Sequence, residues 1–151
     1  MMKPVQRHSI SLLVLAALFW AAGCSEPIPD EVRIRQRIEM MSAATAEKDL
    51  AEVLAPIHAD FLGNQRIRKP NLKGLVYIHF TRHKHVHVFV HDVQVSLNGD
   101  TAEVSCNLVL AGREKLLPDQ GRVLQALSQW KKIDGDWMVM SASWQDPFIP
   151  Q

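Results

Sequence analysis

Cysteine is scarce in this sequence, and neither sign of charge is in clear excess. Only Cys24 and Cys106 occur among 151 residues, and 17 Lys and Arg face 16 Asp and Glu. Nucleic-acid binding needs a basic face, so this charge balance gives no electrostatic case for it. The sequence also lacks a phosphate-binding glycine loop and a nucleophile elbow, the usual signals of nucleotide binding and serine hydrolysis.

The first 24 residues have the three parts of an export signal. A basic start with Lys3 and Arg7 precedes an apolar run, residues 10–20, which is too short to span a bilayer comfortably. Small residues then lead into cysteine at residues 21–24, Ala-Ala-Gly-Cys. This ending resembles the bacterial lipobox, whose cysteine is acylated and becomes the mature N-terminus. Alanine stands where the lipobox usually has leucine.

We therefore predict a lipoprotein signal peptide over residues 1–24, a short tether over 25–29 and one domain over 30–151. Several acyl chains on Cys24 would attach the protein lastingly to a membrane. Ser25 stands where aspartate resembles an inner-membrane retention signal, which favours the outer membrane, facing the periplasm. The alternative is an ordinary signal peptide that leaves Cys24 as a free thiol. If Cys24 is acylated, Cys106 has no disulfide partner, and its place in an alternating strand predicts a buried small hydrophobe.

Helical periodicity dominates the first half of the domain. Apolar residues spaced three and four apart predict a long helix over residues 30–48, with Asp30 as its N-cap. Asp49 and Glu52 form a capping box for a short second helix. Residues 57–63 are predicted to be a transition and residues 64–69 a loop. A third helix starts at Pro70 and presents His79 on its apolar face.

Beyond residue 85 the period changes to two, as in strands. Strands are predicted over residues 85–97, 101–111, 123–132 and 136–144, and the turn Asp134-Gly135 joins the last two. Trp130, Trp137 and Trp144 lie on this last hairpin, which should therefore centre the core. The fold class is α+β, with three N-terminal helices packed on a curved four-stranded antiparallel meander.

The segment Asp-Phe-Leu-Gly at residues 60–63 and the ending Trp-Lys-Lys-Ile-Asp-Gly-Asp-Trp-Met-Val at residues 130–139 resemble the nuclear transport factor 2-like superfamily, and its SnoaL-like bacterial members in particular. The resemblance covers roughly residues 30–146. It implies a cone-shaped sheet around the long helix, a pocket at the open end and frequent homodimers through the sheet. The fold serves isomerases, cyclases, dehydratases and many proteins without known activity, so it does not itself specify function.

Five side chains are candidates for a site within such a cone. Asp60 precedes Phe61 in an apolar context, where a buried carboxyl could act as an acid or base, although capping a turn is the more common role of such a residue. His79 is the second catalytic candidate, although a histidine on an apolar helix face is more often a satisfied core residue. Tyr77, Asn107 and Trp137 are candidate pocket residues. No catalytic set of the family maps onto these positions residue by residue.

Histidines cluster where the third helix gives way to the first long strand. His85 and His87 are spaced to present two imidazoles on one face of a strand, which would suit zinc or copper. His91 lies roughly 13 Å further along the strand, too far to share the same ion. The alternative is that these histidines form the solvent face of a strand whose valines face the core. We predict no cofactor.

These observations favour a lipid-anchored, non-catalytic binding module for a small apolar molecule or an envelope protein. The main reason is the last hairpin, whose faces both look apolar, so that its second face needs a ligand, a helix or another subunit. One alternative is a SnoaL-like isomerase, hydratase or cyclase that acts on a small apolar substrate. The other is a histidine-cluster metal-binding protein.

Overall fold

The computed structural model describes residues 27–112 and 122–145. The predicted signal peptide and Cys24 lie outside these residues, and of the tether only residues 27–29 are described, all of them exposed. No helix in the described ranges is long and apolar enough to cross a membrane. The predictions about export and acylation therefore rest on sequence alone.

Within the described residues, three helices precede the long strands, as predicted: α1 (Asp30–Glu47), α2 (Leu50–Leu54) and α3 (Lys69–Arg82). Helix α1 ends where Lys48 adopts a left-handed backbone, with φ of 59°. The Asp49 carboxylate then accepts a hydrogen bond from the backbone N–H of Glu52 at 3.0 Å, which confirms the predicted cap of α2. Asp30 is not an N-cap, however, because Pro29 takes that position.

The part of the chain that the structure describes forms a sheet of six strands: β1 (Ile57–Gly63), β2 (Ile67–Arg68), β3 (Val86–Asn98), β4 (Thr101–Gly112), β5 (Arg122–Ile133) and β6 (Asp136–Gln145). Their order is β2-β1-β6-β5-β4-β3, and only the β1–β6 pair is parallel. The α+β class is confirmed, but the predicted four-stranded antiparallel sheet is wrong. Residues 57–63 and 67–68 escaped prediction because β2 is very short and a register shift interrupts the pairing of β1 with β6.

The core lies between α1 and one side of the sheet, which we call the inner face. Its buried side chains include Trp130 and Trp137, which are 3% and 2% exposed, so the last hairpin does centre the core. The other buried members of the cluster are Ile34, Leu54, Ile57, Phe61, Ala102, Val104 and Val139. Trp144 is half-buried against this cluster.

The opposite side, the outer face, differs from the sequence expectation. We expected both faces of the β5–β6 hairpin to be apolar, and the outer face is mostly polar. Gln129 pairs with Ser141 and Trp130 with Val139, so Met140 is an extra residue in β6. This bulge moves Trp144 to the inner face with Trp137 and turns the side chain of Ser143 outward. Strict alternation would have put the two tryptophans on opposite faces.

Candidate functional site

The candidate site is a groove of about 730 Å³ on the outer face of the sheet. Its floor follows the strand pairing. Ser105 of β4 is paired with Leu127 of β5, and Leu127 with Ser143 of β6. In the next row Asn107 is paired with Gln125, and Gln125 with Gln145. Directly paired side chains on one face lie about 5 Å apart, so these rows form a continuous polar surface.

The turn between β1 and β2 supplies one wall of the groove. Asn64 and Gln65 both have positive φ, 44° and 62°, which reverses the chain sharply. The Asn64 side chain accepts a hydrogen bond from the Trp144 backbone N–H at 2.9 Å and donates one to its carbonyl at 3.4 Å. Because one amide side chain makes both bonds, the turn is fixed against the end of β6.

A bulge in β3 brings a carboxylate to the groove. Asp92 has φ of 53°, and the pairing of β3 with β4 shifts by one residue between His91 and Gln94. The Asn107 side chain donates a hydrogen bond to Asp92 Oδ2 at 2.9 Å. The carboxylate is therefore held by a neutral neighbour within a largely uncharged surface.

The groove presents hydrogen-bonding groups with little charge. Among its lining residues only Arg66 and Asp92 carry a charge, and most of the others are serine, asparagine or glutamine. Cys106 borders the groove, but the alternation of β4 places its side chain with that of Val104, toward the inner face. Burial raises the pKa of its thiol, which keeps it protonated. Such a surface suits a neutral ligand with its own donors and acceptors, because charged groups would find few partners here.

Neither catalytic candidate is buried. The Asp60 side chain is 84% exposed and lies 3.7 Å from His58 Nδ1, so Asp60 is not the buried acid that its catalytic candidacy required. The β1 backbone turns this side chain outward while Phe61, its neighbour, enters the core. His79 is exposed on α3 and stacks on His83 with 5.8 Å between ring centroids, rather than facing the core.

The three candidate pocket residues lie in three different places. Asn107 lines the groove. Tyr77 is 58% exposed on α3. Trp137 is buried in the core, where its ring N–H donates a hydrogen bond to Asp30 Oδ1 at 2.9 Å, and it borders a surface pocket of about 350 Å³ beside α1. Sequence reasoning thus identified one residue of the groove.

The histidines follow the solvent-face alternative more closely than the metal one. His85 is exposed and precedes β3, while His87 is half-buried and stacks on Phe89 with 6.1 Å between ring centroids. Val88 and Val90 are half-buried on the other side of the strand. Within residues 27–112 and 122–145, no three His, Cys, Asp or Glu side chains are grouped to hold a metal ion.

Among the carboxylates of residues 27–112 and 122–145, Asp30 is the one whose pKa is shifted, and its partners hold the fold together. Its oxygens accept hydrogen bonds from Trp137 Nε1 at 2.9 Å and Lys132 Nζ at 3.0 Å, and Arg33 lies 3.4 Å away. The hydrogen bond from Trp137, followed by that from Lys132, lowers the pKa of Asp30 below its ordinary value of 3.8. These contacts join α1 to the last hairpin.

Solved structures share this architecture. A nuclear transport factor 2-like protein of unknown function from Pseudomonas putida KT2440 superimposes with a TM-score of 0.69 at 20% identity, over 79% of this chain and 87% of that one. A protein with a cystatin-like fold from Nostoc punctiforme PCC 73102 gives 0.67 at 19% identity, over 82% and 96%. A proposed dehydratase from Streptomyces avermitilis, of the nuclear transport factor 2-like family, gives 0.66 at 15%, over 80% and 97%.

This protein therefore has the nuclear transport factor 2-like fold, as the sequence resemblance predicted. No family model and no curated protein matches its sequence. Identities of 20% or less establish the architecture and carry no activity with them. The function has to be argued from the groove.

Proposed function

We propose that this protein is a non-catalytic binding module of the cell envelope that holds a neutral polar ligand in the groove on the outer face of its sheet. The observation that carries the proposal is the chemistry of the groove, with serine, asparagine and glutamine side chains presented by paired strands. A ligand rich in hydroxyl and amide groups would satisfy these donors and acceptors as it displaces water.

The polar groove changes the ligand that we expected from the sequence. A small apolar molecule was predicted because the last hairpin looked apolar on both faces. The described part of the inner face is instead filled by its own side chains, with Phe61, Trp130 and Trp137 each 3% exposed or less. On the outer face, Leu127 is 41% exposed among polar neighbours. It offers an apolar contact to a sugar ring or to an aliphatic side chain of the ligand.

The enzymatic alternative finds less support in this geometry. An isomerase, hydratase or cyclase needs acid and base groups that converge on one substrate atom. Asp60 and His79 are both exposed, one on β1 and the other on α3. The Asp92 carboxylate lines the groove, but its neighbour there is the neutral amide of Asn107. An enzyme of this kind would require a general base beside a second titratable group.

Isothermal titration calorimetry tests the proposed ligand class. The buried core cluster lies entirely between Ile34 and Val139, so a chain that begins at Ser25 keeps it. The probes are tri-N-acetylchitotriose, which is neutral and rich in hydroxyl and amide groups, and decanoate, which is apolar and anionic. We expect binding of the sugar, and Leu127→Arg should weaken it about tenfold or more by filling the groove.

The matched control is Leu97→Arg, which introduces the same side chain at a position that is 44% exposed, at the far end of β3. This variant should bind the sugar like the wild type. Binding of decanoate alone would contradict the neutral-ligand proposal and restore the apolar one. Equal loss of sugar binding in both variants would show that the groove is not the site.

The anchor at Cys24 is the second part of the proposal. Support comes from the basic start, the apolar run and the small residues that precede Cys24. We expect acylation there to hold the domain at the outer membrane, facing the periplasm. Cys24→Ser should release the protein from the membrane fraction into the soluble fraction, and retention of the variant in membranes would contradict the anchor.

A homodimer through the sheet completes the proposal. The end of the outer face beyond the groove is apolar, since Phe89 of β3 pairs with Val109 of β4, and Val109 with Val123 of β5. Phe89 is 51% exposed. None of these three residues lines the groove, so a second copy seated on them would leave the groove open.

A further inference from the structure

Positive charge is concentrated in one part of the chain. From Phe61 to His91 the sequence has no Asp or Glu, six Lys or Arg and five His. The remaining residues contain eleven Lys or Arg and sixteen Asp or Glu. The six basic residues are Arg66, Arg68, Lys69, Lys73, Arg82 and Lys84. A chain with a formal net charge of only +1 thus has a strongly basic segment, which the net charge alone conceals.

Helix α3, at the centre of this segment, exposes apolar side chains. Leu75, Tyr77 and Ile78 are 43%, 58% and 43% exposed. On its other side Phe80 is buried against the domain, and Leu72 is half-buried. Polar and basic residues of α3 are exposed beside them: Asn71, Lys73, His79, Thr81 and Arg82. Large apolar side chains exposed together on one helix mark a surface that contacts a partner or a membrane.

Basic side chains stand at both ends of this apolar surface. Arg66 and Arg68 precede the helix, Arg82 is its last residue, Lys84 follows it, and all four are exposed. No carboxylate of residues 27–112 and 122–145 forms an ion pair with any of them. Lys48 adds a cation at the helix end, where its Nζ donates hydrogen bonds to the carbonyls of Phe80 at 2.8 Å and His83 at 2.6 Å.

We propose that the exposed side of α3, with these flanking cations, docks on an anionic phospholipid surface. Aliphatic side chains would enter the boundary between headgroups and acyl chains, as in helices that lie in the plane of a membrane. Tyrosine is favoured at that depth because its ring is apolar and its hydroxyl polar. The arginines and lysines at both ends would meet the headgroup phosphates.

Charge complementarity favours lipid over the other occupants of such a surface. In a twofold dimer the same patch lies on both subunits, so a second copy would set these cations against one another. Nucleic acid would attract the cations but would leave Leu75 and Ile78 without an apolar partner. The proposal does not depend on acylation of Cys24, and a chain without that cysteine can test it. If Cys24 is acylated and α3 also docks, the same chain makes two contacts with the membrane. Each contact then raises the effective concentration of the membrane for the other.

Vesicle co-sedimentation of the chain that begins at Ser25 tests the proposal. Vesicles of phosphatidylcholine with an equal share of phosphatidylglycerol should bind the protein, and vesicles of phosphatidylcholine alone should not. Replacing both Arg82 and Lys84 by glutamine should lower the vesicle partition coefficient roughly 25-fold, since each surface cation contributes about fivefold. Ile78→Ser should also weaken binding, and because this side chain is exposed, the thermal melt should stay unchanged.

Two matched controls lie in the sheet, away from α3. Lys131→Gln removes an exposed cation, and Leu97→Ser removes a side chain that is 44% exposed, close to the 43% of Ile78. Both should bind vesicles like the wild type. The proposal is overturned if anionic vesicles do not bind, if controls and α3 variants lose binding equally, or if duplex DNA binds as tightly as the vesicles at the same ionic strength.

Discussion

Asp30 joins the start of α1 to the last hairpin through a network of charge and hydrogen bonds. Its carboxylate accepts from Trp137 and Lys132 and pairs with Arg33. The sequence predicted Asp30 as an N-cap, which is a purely local role. Its actual partners Lys132 and Trp137 are more than 100 positions away along the chain, and local pattern carries no information about them.

Asp30→Asn should make the protein less stable at neutral pH, because the amide keeps the shape but loses the attraction to Lys132 and Arg33. The folded pKa of Asp30 lies below its ordinary 3.8, so its contribution is complete above that pH. It disappears as the pH falls through the lower, folded value. Chemical denaturation from pH 7 to pH 2 should show the difference between variant and wild type closing below about pH 4.

The control for Asp30 is Glu31→Gln, which neutralises the neighbouring acid. Glu31 is exposed and pairs with Arg35 one turn along the same helix at 2.9 Å. Exposed pairs of this kind contribute little, so this variant should stay close to the wild type. A stability difference for Asp30→Asn that is constant across the pH range would contradict the role of its charge.

Gly63 and Gly74 should respond to alanine in opposite ways. A Cβ on Gly63 would lie 2.8 Å from Trp144 Cη2 and 3.0 Å from Phe61 Cε1, in packed aromatic surroundings. Gly63→Ala should therefore cost about 1–3 kcal/mol of unfolding free energy. Gly74 lies within α3, and its added Cβ meets no atom within 4 Å, so Gly74→Ala should stabilise by about 0.5–1 kcal/mol. Urea denaturation measures the unfolding free energy of both variants. An equal loss of unfolding free energy in the two variants would contradict this prediction.

At the scale of elements, the bulge at Asp92 keeps the valines of β3 on the inner face. Val88 and Val90 precede it at even positions, whereas Val93 and Val95 follow it at odd positions and still pack against the core. One extra residue with positive φ accounts for the change of phase. The same insertion brings the Asp92 carboxylate to the groove.

Replacing Asp92 by valine should destabilise the fold, because a β-branched residue tolerates positive φ poorly. We expect a loss of about 1–3 kcal/mol, measured by urea denaturation. Ser96→Val, on the outer face of the same strand, is the control and should change stability little, since valine suits an extended backbone. If Asp92→Val left the free energy of unfolding unchanged, the bulge could move or vanish without a loss of stability.

Regular elements were largely predictable from sequence, and irregular ones were not. The period of α1, the Asp49 cap and the Asp134-Gly135 turn are local signals, and each one led to the correct element. Strand β1 was missed because its parallel partner β6 comes from the far end of the chain, and β2 was missed because it has only two residues. The bulges at Asp92 and Met140 were missed too, and with them the polar character of the outer face and most of the groove.

At the scale of the whole molecule, three surfaces are available for three contacts: the groove for a ligand, the apolar end of the outer face for a second copy, and α3 for a membrane. Phe89→Arg should convert the expected homodimer into a monomer, because it puts a charge into the apolar contact. Light scattering at micromolar concentration measures this change. Leu127→Arg should remain a dimer, and a wild-type monomer would contradict the dimer proposal.

The most direct test of the central claim is the site at which a neutral sugar contacts the domain. Backbone amide chemical shifts can be followed by NMR as tri-N-acetylchitotriose is added to the ¹⁵N-labelled chain that begins at Ser25. The groove proposal predicts that the largest saturable changes fall on Ser105, Leu127 and Ser143, three paired residues of its floor. Changes confined to residues of the inner face, or none at all, would contradict it.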